Sequence, residues 1–213
     1  MLSASYYPPI ELKPEFEYYL GLISFGVYNS IPNIDESNNL LHYDNKVLEI
    51  PIGSYELEDL DSFLKQQLGG DDKISLVGNN NTLRCELKSK FRIDFSKPRS
   101  VGKLLGFRSG PLDANIIHTS SSQVEILRVI AILIDCNLIS SSYINSRENH
   151  IIYSFANVTP VGYRIIENPS SPIYLPVREK IIDNITLTVT DQSGNLIDFR
   201  GEELTVKLHL KRE

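Results

Sequence analysis

Ile185-Thr186-Leu187-Thr188-Val189-Thr190 and Leu204-Thr205-Val206-Lys207-Leu208-His209-Leu210-Lys211 decide the fold class of this chain. In both stretches apolar residues alternate strictly with polar ones. Successive side chains of a strand point to opposite faces, so a period of two puts one face on a core and the other in water. Asp191-Gln192-Ser193-Gly194-Asn195 supplies turn residues after the first stretch, and a short run leads on to Phe199. The pattern predicts two half-buried strands near the end of a β protein.

Working back along the chain, the β reading persists. Pro160 to Pro176 reads as a proline-rich crossing, and Ile151 to Val158 as a strand. Val124 to Leu138 is apolar on both alternating sets, which predicts a central strand buried on both faces. Val101 to Phe107 is a short apolar piece bounded by glycines, with room for one helical turn. Phe91, Ile93 and Phe95 alternate with Arg92 and Asp94, and Ile74–Val77 and Leu83–Leu87 flank the turn Gly78-Asn79-Asn80-Asn81. Leu40–Tyr43 and Val47–Ile52 form a hairpin about Asp44-Asn45. Tyr18 to Tyr28 is rich in aromatic and β-branched residues and ends at Asn29-Ser30-Ile31-Pro32-Asn33.

One segment breaks this pattern. Leu57, Leu60, Leu64 and Leu68 recur at helical spacing, with Ser54 as N-cap, Glu56, Glu58 and Asp59 in the first turn, and Gly69-Gly70 as the stop. They predict one amphipathic helix near residues 55–68, packed as a cover on the β structure.

About eight principal strands, one helix and long loops fit an all-β single jelly-roll sandwich of two Greek-key sheets. An immunoglobulin-like sandwich is the rival, but the chain has no tryptophan for the buried position that fold uses. With 213 residues, length suits one domain over 16–213, preceded by an extended N-terminal arm over 1–15. Pro8, Pro9 and Pro14 keep that arm irregular, since proline fixes φ and removes a donor. It is either a frayed terminus or a partner-binding segment, and Tyr6, Tyr7, Pro8 and Pro9 are its assembly candidates.

Composition narrows function. Hydrophobic residues make up 41% and charged residues 23%, an ordinary globular balance. The formal net charge of −6 opposes bulk binding to nucleic acid, so no specific nucleic-acid partner is expected. The basic stretches Lys88–Arg92 and Lys97–Lys103 read either as solvated strand faces or as a local phosphate patch. His42, His118, His150 and His209 lie in four separate segments without metal-ligand spacing, so no metal is expected. Ser100-Val101-Gly102-Lys103-Leu104 lacks the other residues of a phosphate loop, and no Gly-x-Ser-x-Gly elbow occurs. Cys85 and Cys136 read as small core residues. No catalytic residue, cofactor or enzymatic activity is expected. No membrane partner is expected either, because the longest apolar run is short and interrupted by charge. The N-terminus has no signal-peptide pattern, which points to an intracellular protein.

Particular segments carry more than composition does. They are Leu20–Phe25 with Tyr28–Ile34, Gly53–Leu60, Gly78–Leu83, Leu104-Leu105-Gly106-Phe107 and Asp191–Glu202. Together they resemble the jelly-roll capsid proteins of Polinton (Maverick) elements and the related adintoviruses and virophages, over about Phe16 to Lys211. That resemblance implies a structural capsid protein located in the virion. Two capsid proteins are ascribed to those elements, a double jelly-roll major protein and a single jelly-roll minor protein at the vertex. Room for one jelly roll implies the minor, penton-type subunit, a homopentamer whose other partner is the major capsid protein. The alternatives are a fragment of the major protein, or a cellular jelly-roll module that binds carbohydrate or peptide.

Overall fold

The computed structural model describes residues 1–126, 128–139, 142–144 and 147–213. They form two compact units: unit 1 is Met1–Ile31 with Val129–Glu213, and unit 2 is Pro32–Arg128. Unit 1 starts with β1 (Leu2–Glu11) and β2 (Tyr18–Tyr28). Unit 2 follows with β3 (Leu40–Tyr43), β4 (Lys46–Glu49), α1 (Leu57–Leu68), β5 (Ile74–Asn79), β6 (Arg84–Ser89), β7 (Ile93–Asp94), β8 (Pro111–Leu112) and β9 (Ile117–Thr119). Unit 1 resumes with β10 (Ala131–Cys136), β11 (Ser142–Ile144), β12 (Arg147–Asn149), β13 (Ile151–Ala156), β14 (Arg164–Glu167), β15 (Tyr174–Pro176), β16 (Ile181–Asp191) and β17 (Thr205–Arg212).

Unit 1 is a sandwich of two antiparallel sheets. One has the order β1-β16-β10-β13; in the other, β2 carries β17 along one side and β14 and β15 along the other. After β1 the chain crosses to β2, and after β13 it crosses back and forth through β14, β15, β16 and β17. The ladders β1–β16 and β2–β17 therefore join strands far apart in sequence. The inward faces meet in one core: Leu22, Phe25 and Val27 of β2 pack with Ile132, Ile134 and Cys136 of β10 and Leu187 and Val189 of β16. Phe25 and Phe155 bring their ring centroids to 5.5 Å across the sandwich. The alternation at 185–190 and 204–211 thus places its apolar sets inward.

Unit 2 is built from neighbours in sequence. β3 and β4 form the expected hairpin around Asp44-Asn45, and β5 and β6 the next one. α1 buries Leu57, Leu60 and Leu64 in a core shared with Leu76, Leu87 and Leu105. Its N-cap is Glu56 rather than Ser54: the Asp59 carboxylate accepts the Glu56 N–H at 3.2 Å, which holds the first turn. Gly69 ends the helix in the left-handed region at φ 98°, where glycine carries no Cβ penalty. The two ends of unit 2 are clasped to each other. Arg128 Nη1 lies 2.5 Å from Asp35 Oδ2, and the buried Asn33 amide donates to the Tyr55 carbonyl at 2.8 Å and the Ile126 carbonyl at 3.2 Å. Asn33 Oδ1 accepts the Tyr55 N–H at 3.0 Å, so its buried polar atoms are satisfied.

Four expectations need correction. Val124 to Leu138 is not one strand. β10 covers only Ala131–Cys136, while Val124 and Ile126 pack on the core of unit 2. The run lacks alternation because it serves two cores in succession. Within β10 one face is buried and the other only partly covered. Residues 101–107 form turns without a helix. The proline-rich crossing contains β14 and β15. Finally, residues 1–15 do not stand apart from a single 16–213 domain: Leu2–Glu11 is a sheet strand, Leu12 is buried in the core of unit 1, and the chain divides at 31/32 and 128/129.

Candidate assembly surface: a bulged edge strand and the groove beside it

Leu2-Ser3-Ala4-Ser5-Tyr6 alternates apolar and polar residues, and β1 runs antiparallel to β16 with Leu2 opposite Leu187 and Ser5 opposite Asn184. Pairing resumes at Ile10 opposite Ile182. Tyr6, Tyr7, Pro8 and Pro9 therefore stand on β1 where β16 has only Asp183. Proline brings no N–H to a ladder, so two adjacent prolines leave the strand little to pair with, and the chain loops outward. Tyr7 is fully exposed at 101%, and Tyr6 is 36% exposed. The four residues expected in an assembly role thus sit together on one bulge, anchored on both sides by ladder pairs.

β1 ends the order of its sheet, and β17 pairs with β2 alone. Among the described residues each of these strands has an unpaired edge. Between them unit 1 has an apolar groove of about 450 Å³, lined by Leu2, Ala4 and Tyr6 of β1, Ile185 and Leu187 of β16, and Val206, Leu208 and Leu210 of β17. Val206, Leu208 and Leu210 are only half-buried, although they carry the inward set of the alternation. An apolar surface left open beside unpaired strand edges is the usual form of a protein contact site. Glu11, two residues beyond Pro9, and Lys207 on β17 are both exposed and have no ion pair among the described residues.

The remaining chemistry-bearing groups are dispersed. His42 lies 3.2 Å from the Pro98 carbonyl, His118 2.9 Å from that of Asp113, His150 3.0 Å from that of Ile139, and His209 2.8 Å from the Tyr174 hydroxyl. Cys85 and Cys136 are free and buried, each in the core of its own unit. Burial pushes the Cys85 thiol up to about 12 and raises that of Cys136, so both stay protonated and inert as nucleophiles. Among the described residues no three His, Cys, Asp or Glu side chains gather where they could hold a metal ion. No helix among those residues is long and apolar enough to cross a membrane. Lys88 lies on β6, Lys90 and Arg92 between β6 and β7, and Lys97 and Arg99 after β7, and several are paired locally, as Lys90 is with Asp72 at 2.7 Å.

Sequence reasoning singled out the bulge but missed the groove. The signal was the 2–6 alternation, hidden by the prolines that follow it.

Taken together, the strand order, the two facing sheets and the one helix among the described residues define an all-β jelly-roll sandwich. No protein-family model matches this sequence, and no curated protein matches it. Among solved structures the chain is similar to the mavirus penton protein, at TM-score 0.51 and 14% identity, with 100% of this chain and 91% of that chain covered. At that identity the likeness is one of fold.

Proposed function

We propose that this chain is a structural capsid subunit of the penton type, of the kind encoded by virophages and Polinton (Maverick) elements. The observation that supports this most is the end-to-end fold likeness to a penton protein, which covers 100% of the chain. In this reading the protein is non-catalytic and binds no cofactor. Five copies close a ring about a fivefold axis, because a heterologous side-to-side contact must close if it is not to grow into a fibre. The major capsid protein surrounds that ring in the virion shell.

Light scattering on the full chain over a concentration series, with imaging of whole particles, tests the proposal. The expected result is a species growing toward five copies and density for the chain at the vertices. A stable dimer or trimer at every concentration, with empty vertices, would overturn the penton assignment while leaving the jelly roll intact.

A further inference from the structure

The basic stretches of the sequence are not absorbed by the subunit reading, and unit 2 folds part of them around a cavity. From Arg84 to Arg108 the chain has eight lysines and arginines against two acids, Glu86 and Asp94, a net of +6 in a protein of net −6. Charge segregated in this way is the footprint of an anionic partner. We infer that the outward face of β6, with the cavity at its Lys88 end, holds the phosphodiester backbone of a nucleic acid strand.

The cavity, of about 440 Å³, brings Lys73, Lys88 and Lys90 together with Ser75 and Asn115. Ser75 faces Lys88 directly across the β5–β6 ladder, and the Lys90 N–H donates to the Lys73 carbonyl at 2.8 Å. Asp72 stands on the same wall between two ammonium groups, 2.7 Å from Lys90 Nζ and 3.5 Å from Lys73 Nζ. Asp71, the other acid there, shares Lys65 with Asp61, at 3.2 and 2.8 Å. These three carboxylates meet four lysines once Lys88 is counted, and Lys88 has no ion pair among the described residues. One positive charge is left over, and a phosphodiester carries one negative charge. The side chains of Ser75 and Asn115 make no hydrogen bond among the described residues, so both can donate to phosphate oxygens.

The strand extends the site beyond one ion. β6 buries Cys85, Leu87 and Ser89, which leaves Arg84, Glu86 and Lys88 on the outward face. Arg84 is exposed and, like Lys88, has no ion pair among the described residues, although Glu125 lines the hollow beside it. Four residues of strand separate the two cations by about 13 Å, more than a single phosphate can bridge. Glu86 between them divides the face into two cationic points, a spacing that suits a chain of phosphates and not a lone anion. β5 and β6 carry no aromatic ring on which a base could stack, so the face reads backbone and not sequence.

Fluorescence anisotropy on the full chain tests this, with a labelled oligothymidine of about 20 nucleotides and a mixed-sequence strand of the same length as probes, over about 20–200 mM salt. The wild type should bind both strands alike, with log affinity falling linearly against log salt. Lys88→Ala and Arg84→Ala should each weaken binding about fivefold and lower that slope by about 0.7, the single-strand value for one phosphate. Glu86→Gln should tighten binding about twofold, and Lys13→Ala, which removes an exposed cation of unit 1, should leave it unchanged. Each variant should keep the wild-type circular dichroism spectrum.

A wild type that binds neither strand at the lowest salt would overturn the inference. So would binding that Lys13→Ala weakens as much as Lys88→Ala does, since the attraction would then have no site. Displacement of the strand by inorganic phosphate, where sodium chloride of equal ionic strength has no effect, would assign the cavity to a lone phosphate and reject the polymer. Each of these failures leaves the subunit reading standing, because that reading rests on fold likeness alone.

Discussion

The two units solve the same burial problem in opposite ways. Unit 2 is one continuous segment whose largest ladders join near neighbours, β3 with β4 and β5 with β6, with a helix laid on β5, while β6–β9 and β3–β7 reach further along the segment. Unit 1 is closed by strands from the two ends of the chain, β1 on β16 and β2 on β17. Local pairing costs little loop-closure entropy, whereas distant pairing gains nothing until most of the chain is in place. The difference reaches the surface too. Two of the closing strands of unit 1, β1 and β17, have open edges, and the groove lies between them.

The largest expected effects break the comparison at its cores. Phe25→Ala in unit 1 should cost about 3–5 kcal/mol and Leu105→Ala in unit 2 about 2–5 kcal/mol; both residues are essentially fully buried. Amide hydrogen exchange should show Phe25→Ala lowering protection in β2, β10 and β16 first, and Leu105→Ala lowering it in α1 and β5 first. Equal loss in both units from either change would show that they behave as one cooperative body.

Backbone strain sharpens the contrast next. Gly106 of unit 2 has φ 78°, and a Cβ there would run into the Ser122 carbonyl oxygen and come within 2.8 Å of the Gln123 carbonyl oxygen. Gly194 of unit 1 has φ 83° with nothing within 4 Å. Thermal melts should give Gly106→Ala a loss of about 3 kcal/mol, adding a clash to the left-handed penalty, and Gly194→Ala only about 1 kcal/mol. Equal losses would mean that the loop at Ser122 moves aside.

Asn33→Ala should follow at about 2 kcal/mol, since it leaves the Tyr55 N–H and two carbonyls without their partner in a buried site. Urea titration would check it, and a loss below about 0.5 kcal/mol would mean that water replaces the amide.

The smallest effect is set by pH. Burial alone would raise the Asp191 carboxyl, but bonds from the Asn195 side chain and from the Asn195, Ser193 and Gly194 N–H groups outweigh it and hold the group below its ordinary value. A lowered folded value contributes stability above the unfolded value and loses it as pH falls through the folded one. Asp191→Ala should therefore cost about 1 kcal/mol at pH 7, and the gap between variant and wild type should close below about pH 4. A gap that stays constant down to pH 2 would show that the carboxylate charge plays no part.

The asymmetry between the units also explains what could be read from residues alone. The leucine stripe of α1 and the turns at Asp44-Asn45 and 78–81 are local signals, and they place unit 2's helix and hairpins. The Ser54 cap was misplaced because Asp59, a side chain inside the helix, performs the capping. The alternating strands β16 and β17 are equally legible, yet nothing in them says that β1 and β2 are their partners. Pairing across the length of the chain leaves no mark on composition. β1 itself was obscured because prolines at the bulge resemble the end of structure. Of the candidate site, the exposed aromatic and proline residues were visible, while the cavity beside them arises only when three separated strands converge.

The Asp35–Arg128 clasp has a consequence for how such a chain can change. A segment whose two ends are fastened together can be lengthened, trimmed or exchanged as a cartridge without re-threading its host, the condition under which domain insertions are tolerated. Natural selection can then vary residues 32–128 at one tempo and the sandwich at another. The same clasp marks where a foreign domain could be grafted by design.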